Sequence, residues 1–202
     1  MNDWRKGCHR MPTLLLLLAL LLTGMAQASI MADVGVSRVS EDCGKWRIGF
    51  NWSELDDYSK SISHSDSESG KVKISTDTLI MTSSSDRKQV VKVSIAKYSA
   101  VNTELANGTY MMTLANETLK KSGVCKDINA FMRQIDGRPG AFAGGAKCPL
   151  GEPVWAAVYP VDYHLDRPGG VLAASALGII LSTYEQEVTS RLIDSVKIQQ
   201  TG

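Results

Sequence analysis

The chain reads as an α+β domain, an antiparallel sheet with helices packed on it. Three observations predict this. Residues 45–52 alternate with period two: Trp46, Ile48, Phe50 and Trp52 on one side, Arg47, Gly49 and Asn51 on the other, the pattern of a half-buried strand. Met111, Leu114, Ala115 and Leu119 recur at helical spacing. Asp136-Gly137 between two strand-like runs is a hairpin turn signal.

In chain order, residues 1–28 come first and read as an export signal. Arg5, Lys6 and Arg10 form a positive start, Leu14 to Leu22 an apolar run, and Ala26-Gln27-Ala28 a small-x-small cleavage site. The competing reading is a retained anchor, which needs roughly 20 apolar residues to span a bilayer, about twice this run. Residues 29–44 read as a flexible N-terminal segment, and 45–200 as one α+β domain. After the Trp46 strand, 58–64 is a weaker strand, and serine-rich Ser59 to Gly70 is expected to be a mobile hairpin tip. Val72 to Met81 predicts a long strand bent near Asp77, and Val91, Val93 and Ile95 the next.

The first helix is expected to be capped by Thr109 and closed by Lys120, Lys121 and Gly123. Residues 127–135 and 140–147 then form the Asp136-Gly137 hairpin. Its return strand is rich in glycine and alanine, as if a helix packed closely over it. The last strands, 153–163 and 171–181, flank Pro168-Gly169-Gly170. The nearly all-apolar run Val171 to Leu181 suits a strand covered on both faces. A closing helix is predicted from the Thr183/Gln186 capping box and the face Tyr184, Val188, Leu192 and Ile193.

Composition narrows the function. With 22 basic and 21 acidic residues in 202 and a net charge of +1, and with no basic run, nucleic acid is not an expected partner. No second apolar stretch is long enough for a membrane span once the signal is removed. Beyond the signal lie Cys43, Cys125 and Cys148. An oxidising compartment favours Cys125–Cys148, which flank the 127–147 hairpin, over Cys43–Cys125 or Cys43–Cys148. Cys43 is then free or bridges two chains. Asn51-Trp52-Ser53, Asn107-Gly108-Thr109 and Asn116-Glu117-Thr118 match the glycosylation acceptor pattern, which also arises by chance. Asn51 and Asn116 are expected on outer faces.

Chemical motifs are sparse. Neither phosphate-loop nor dinucleotide fingerprint occurs, so no cofactor is expected. There is no G-x-S-x-G elbow and no H-E-x-x-H, and Asp56 and Asp57, adjacent in an extended chain, point apart. One candidate metal set remains. Asp162, His164 and Asp166 would share a face if extended, a spacing suited to a divalent ion; the plain alternative is a solvated loop. Trp46, Trp52 and Trp155 could line a carbohydrate platform, but Trp46 and Trp52 share a face with Ile48 and Phe50, which favours the core.

The Trp46-Arg47-Ile48-Gly49-Phe50 strand, the Ile135-Asp136-Gly137 turn before a glycine-rich strand, and the ending Glu185 to Ile198 together resemble the PsbP/Mog1-like superfamily of small exported α/β/α sandwich proteins. The resemblance covers most of 45–198 in spacing and character. It implies an α/β/α sandwich and a non-enzymatic accessory role toward a larger partner. It carries over no metal ligands, since no ligand set matches residue by residue. The sequence therefore predicts a secreted binding or accessory module at the cell surface, its partner an unidentified protein or envelope component. The alternative is a small exported enzyme or metal-dependent ligand binder using Asp162, His164 and Asp166.

Overall fold

The Trp46 alternation is realised as an antiparallel strand whose Trp46, Ile48, Phe50 and Trp52 are all buried, facing the core. The computed structural model describes residues 37–52, 57–162, 164–165 and 172–201. The strands are β1 (Ser37–Cys43), β2 (Trp46–Trp52), β3 (Tyr58–Ser69), β4 (Val72–Ser83) and β5 (Val90–Asn102), followed by helix α1 (Gly108–Lys121). Then come β6 (Val124–Ile135), β7 (Arg138–Lys147), β8 (Pro153–Pro160), β9 (His164–Leu165), β10 (Leu172–Ser182), helix α2 (Gln186–Ser195) and β11 (Lys197–Gln200). The expected export signal at 1–28 lies outside the described residues.

Two antiparallel sheets result. The small one has the order β1-β2-β11, the large one β3-β4-β5-β10-β8-β7-β6, with β9 beside β10. On one face of the large sheet, Leu79, Val93, Ile95, Phe142 and Ile180 pack with Trp46, Ile48 and Phe50 of the small sheet and with Leu192 and Ile193 of α2. On the other face, Met111, Ala115 and Leu119 of α1 pack over Ala141, Ala143, Ala156 and Val158. Central β10 is buried on both sides, as its apolar run predicts.

This corrects the predicted fold class. Among the described residues the molecule is β-rich, eleven strands in two antiparallel sheets with two α-helices, and not an α/β/α sandwich of helices on a single sheet. The physical reason lies in two polar segments. Residues 37–43, read as part of a flexible lead-in, pair with β2 along their whole length. The serine-rich 58–69 segment, read mainly as a mobile tip, pairs residue for residue with β4. Serine has little strand preference, so neither segment shows the apolar alternation by which strands are recognised. Backbone hydrogen bonding to a formed neighbour supplies their order instead. The expected break at Asp77 is likewise absent, and β4 is continuous.

The helix starts differ too. Asn107 Oδ1, not Thr109, caps α1, accepting from Thr109 N–H at 2.8 Å and Tyr110 N–H at 3.4 Å. Thr183 leaves the predicted capping box: its hydroxyl donates to Lys88 O at 2.6 Å and accepts from Val90 N–H at 2.8 Å. It stitches the end of β10 to the approach to β5.

Candidate functional site

Asp162 follows β8, beside the point where the β10–β5 register shifts: Ala174 faces Asn102 and Ala176 faces Lys97, so the extra residues lie on β5. The shift interrupts the regular ladder at Ser175. Asp162 binds the chain there: its carboxylate accepts from Ser175 N–H at 2.9 Å, Ala176 N–H at 2.7 Å and the Ser175 hydroxyl. Its acceptor capacity is thus directed at the backbone of the chain itself. His164 pairs through its backbone with Ala173; the His164 side chain and Asp166 lie outside the described residues. Among the described residues, no group of three or more His, Cys, Asp or Glu side chains could hold a metal ion.

A different cluster has site geometry. Residues 64 and 66 of β3, 75 and 77 of β4, and 95 and 97 of β5 share one face through the register His64–Asp77–Ile95 and Asp66–Ser75–Lys97. The β1–β2 turn of the small sheet borders these rows, with Gly44 against Asp77. The result is a cleft of about 440 Å³ lined by Gly44, Lys45, Trp46, His64, Ser75, Asp77, Lys97 and Gln200. A depression of about 700 Å³ beside it shares Ser75 and Lys97 and adds Asp66, Glu68, Lys73 and Tyr98. Gly44 is required here. Its φ is +60°, and a Cβ would fall 2.4 Å from the Asp77 carboxylate, so no larger residue lets the turn sit against that group.

The imidazole of His64 lies between two carboxylates, Nδ1 at 2.7 Å from Asp77 and Nε2 at 3.3 Å from Asp66. The hydrogen bond to Asp77 is the main cause that raises its pKa above the ordinary value, with the Asp66 charge adding to it. Asp77 is nearly covered while His64 is about half exposed. The Lys97 ammonium sits over the Trp46 ring, 5.8 Å from its centroid, a cation–π contact. Cys43 is fully buried. Burial, and then the Asp77 charge, push its thiol up to about 11, so it stays protonated and is a poor nucleophile.

The remaining candidates fall as follows. Cys125 and Cys148 form a disulfide with Cα atoms 6.0 Å apart, and Cys43 is free. Asn51 and Asn107 are exposed, the latter serving as a helix cap; Asn116 is half-buried with its amide oxygen enclosed, unlike the outer-face placement expected. Trp46 and Trp52 are core residues, and Trp155 stacks on Phe142 at 5.6 Å. Asp56 lies outside the described residues. The His64–Asp77 pair was not legible in the sequence because it depends on the β3–β4 register, and β3 carries no apolar pattern to fix that register.

Among the described residues no helix is long and apolar enough to cross a membrane. Together with the disulfide, this is compatible with an extracytoplasmic protein. No protein-family model matches the chain, and no curated protein matches it.

Proposed function

We propose that the chain is an exported binding or accessory module of the cell surface, which engages a polar partner, a protein segment or envelope component, through the His64–Lys97 cleft. One observation carries this reading. The cleft brings an ammonium seated over an almost wholly buried indole and a half-exposed imidazole held by two carboxylates to one accessible place. A cleft with a few directed polar groups is what ligand recognition uses. The neighbouring thiol is buried and protonated, and supplies no nucleophile to the imidazole. The resemblance at Trp46–Phe50, Ile135–Gly137 and Glu185–Ile198 implies the same kind of role, although the layer order it implied is not the one observed.

The test is capture from envelope extract with the exported protein as bait, comparing wild type with Lys97→Glu and His64→Ala. Both side chains are at the cleft, and unchanged circular dichroism would report an intact fold. A component retained by wild type and lost at least about tenfold in Lys97→Glu supports the reading, as expected for one well-placed charge contact. Equal retention by all three proteins overturns it.

A further inference from the structure

We infer that β3 is the interface of a symmetric homodimer, pairing antiparallel with β3 of a second copy about a two-fold axis at Ser63. The large sheet has two edges, β3 and β6. Edges expose unpaired amide and carbonyl groups, and proteins commonly protect them with bulges, prolines or short strands. β6 carries register breaks between Val124 and Lys126 and between Lys126 and Asn129. β3 has no bulge or proline and is not short; its only edge protection is the charge of Lys60, Asp66 and Glu68, which antiparallel self-pairing can match. It runs for twelve residues in unbroken register with β4 and contains no proline. Every residue from Ser59 onward is exposed, Ile62 at 49% among them. Among the described residues no strand pairs with its outer side.

The occupant follows from the side chains. Positions 59, 61, 63, 65, 67 and 69 are all serine, so one face of β3 is small and flat and offers no steric obstacle to a further strand. The other face is graded: Lys60 near the start, Ile62 and His64 in the middle, Asp66 and Glu68 near the end. Antiparallel pairing sets the basic end of one copy against the acidic end of the other. Because directly opposed residues share a face, only every second register keeps this arrangement.

The neighbouring registers differ in charge. With Ser63 on the axis, Lys60 faces Asp66 of the second copy, and exposed Ile62 faces His64. With His64 on the axis, two imidazoles, each raised in pKa by its own carboxylates, would oppose one another. With Ile62 on the axis, Lys60 would oppose His64. Like charges directly opposite destabilise a sheet, so of these three the Ser63 register is favoured. It also keeps more strand in contact than an axis at Ser65, which pairs His64 with Asp66 but leaves Lys60 without an acidic partner. Lys60 also bonds Glu41 at 2.5 Å, but its ammonium has three donors and can serve both carboxylates. Asp66 is 75% exposed.

The test is sedimentation velocity on the exported protein with two charge reversals, Lys60→Glu and Asp66→Lys. Wild type should sediment as a dimer. Each variant alone places like charges at both symmetry-related contacts, and its dimer should dissociate at a concentration roughly tenfold higher or more. Mixing the two variants restores both opposite-charge contacts, so the mixture should sediment as a heterodimer. Ser63→Cys should form a disulfide-linked dimer under oxidising conditions, reporting the register directly. A wild type that stays monomeric at all concentrations overturns the inference. So does a dimer indifferent to both reversals, or a variant mixture that remains monomeric. The cleft reading survives any of these results, because capture by Lys97 does not require a second copy.

Discussion

His64 gives the clearest pH dependence in the molecule. Its folded pKa is raised above the unfolded value of about 6.5 by Asp77 and Asp66. The stabilisation it contributes is therefore complete below the unfolded pKa and is lost as pH rises through the folded one. Wild type should lose thermal stability as pH rises above about 6.5 and through the raised folded pKa, and His64→Gln should flatten that slope; melting curves taken upward from that pH check this. Asp162 makes the opposite kind of statement, about structure and not titration. Replacing it with alanine strands the Ser175 and Ala176 amides where the β10–β5 register shifts, which should cost about 2 kcal/mol. The loss should appear equally in chelator and in added divalent ions when measured by urea unfolding. A destabilisation seen only with metal present would support the metal-site reading of Asp162. The acidic character of 162–166 was legible as sequence; that Asp162 holds the backbone at a register shift was not, because the shift depends on how β5 and β10 align.

The glycine-rich β7 shows how one strand can serve two layers. Ala141 and Ala143 face α1, and their small side chains let Met111, Ala115 and Leu119 lie close. Gly144 faces the other way, where the Trp155 ring lies so near that an added Cβ would be 2.0 Å from it. The glycines were read from sequence as room for a helix. It is the alanines that face α1, while Gly144 makes room for an indole and Gly140 for Tyr159 and Ile135. Gly144→Ala should force Trp155 from its stack on Phe142 and cost about 2 kcal/mol, the range for overpacking a core. The check is a lowered denaturation midpoint together with a change in tryptophan fluorescence. β2 and β10 were recognisable at once, the one by alternation and the other by continuous apolarity, because burial on one or both faces writes itself into the residue pattern. β1 was not, and β3 only weakly and over 58–64 alone, since an exposed strand held by its backbone has no such requirement.

In the molecule as a whole, the disulfide joins the start of β6 to the link between β7 and β8, closing a loop with a sequence separation of 23. A loop of that length is worth about 3 kcal/mol in the chain-entropy account. The double variant Cys125→Ser/Cys148→Ser should unfold with a stability lower by about that amount, and reductant should have the same effect on wild type. Substituting Cys43 should leave the response to reductant unchanged, because it is buried and unpaired. The two sheets stack through residues from distant parts of the chain. β11 completes the small sheet beside β2, and Ser195 accepts from the Asn51 amide at 2.9 Å. The small sheet thus closes only when the end of the domain returns to its beginning.

Local residue pattern was enough to specify the inward face of the Trp46 strand, the apolar stripes of both helices, the Asp136-Gly137 turn and the cysteine pair, since each depends on neighbours a few residues away or on one short loop. Layer order, the strands made of serine and charge, and the meeting of His64 with Asp77 depend on which backbones align across the sheet. That alignment is set by long-range pairing and by what the core leaves uncovered, and a polar strand carries no hydrophobic mark from which its partner or its register could be read.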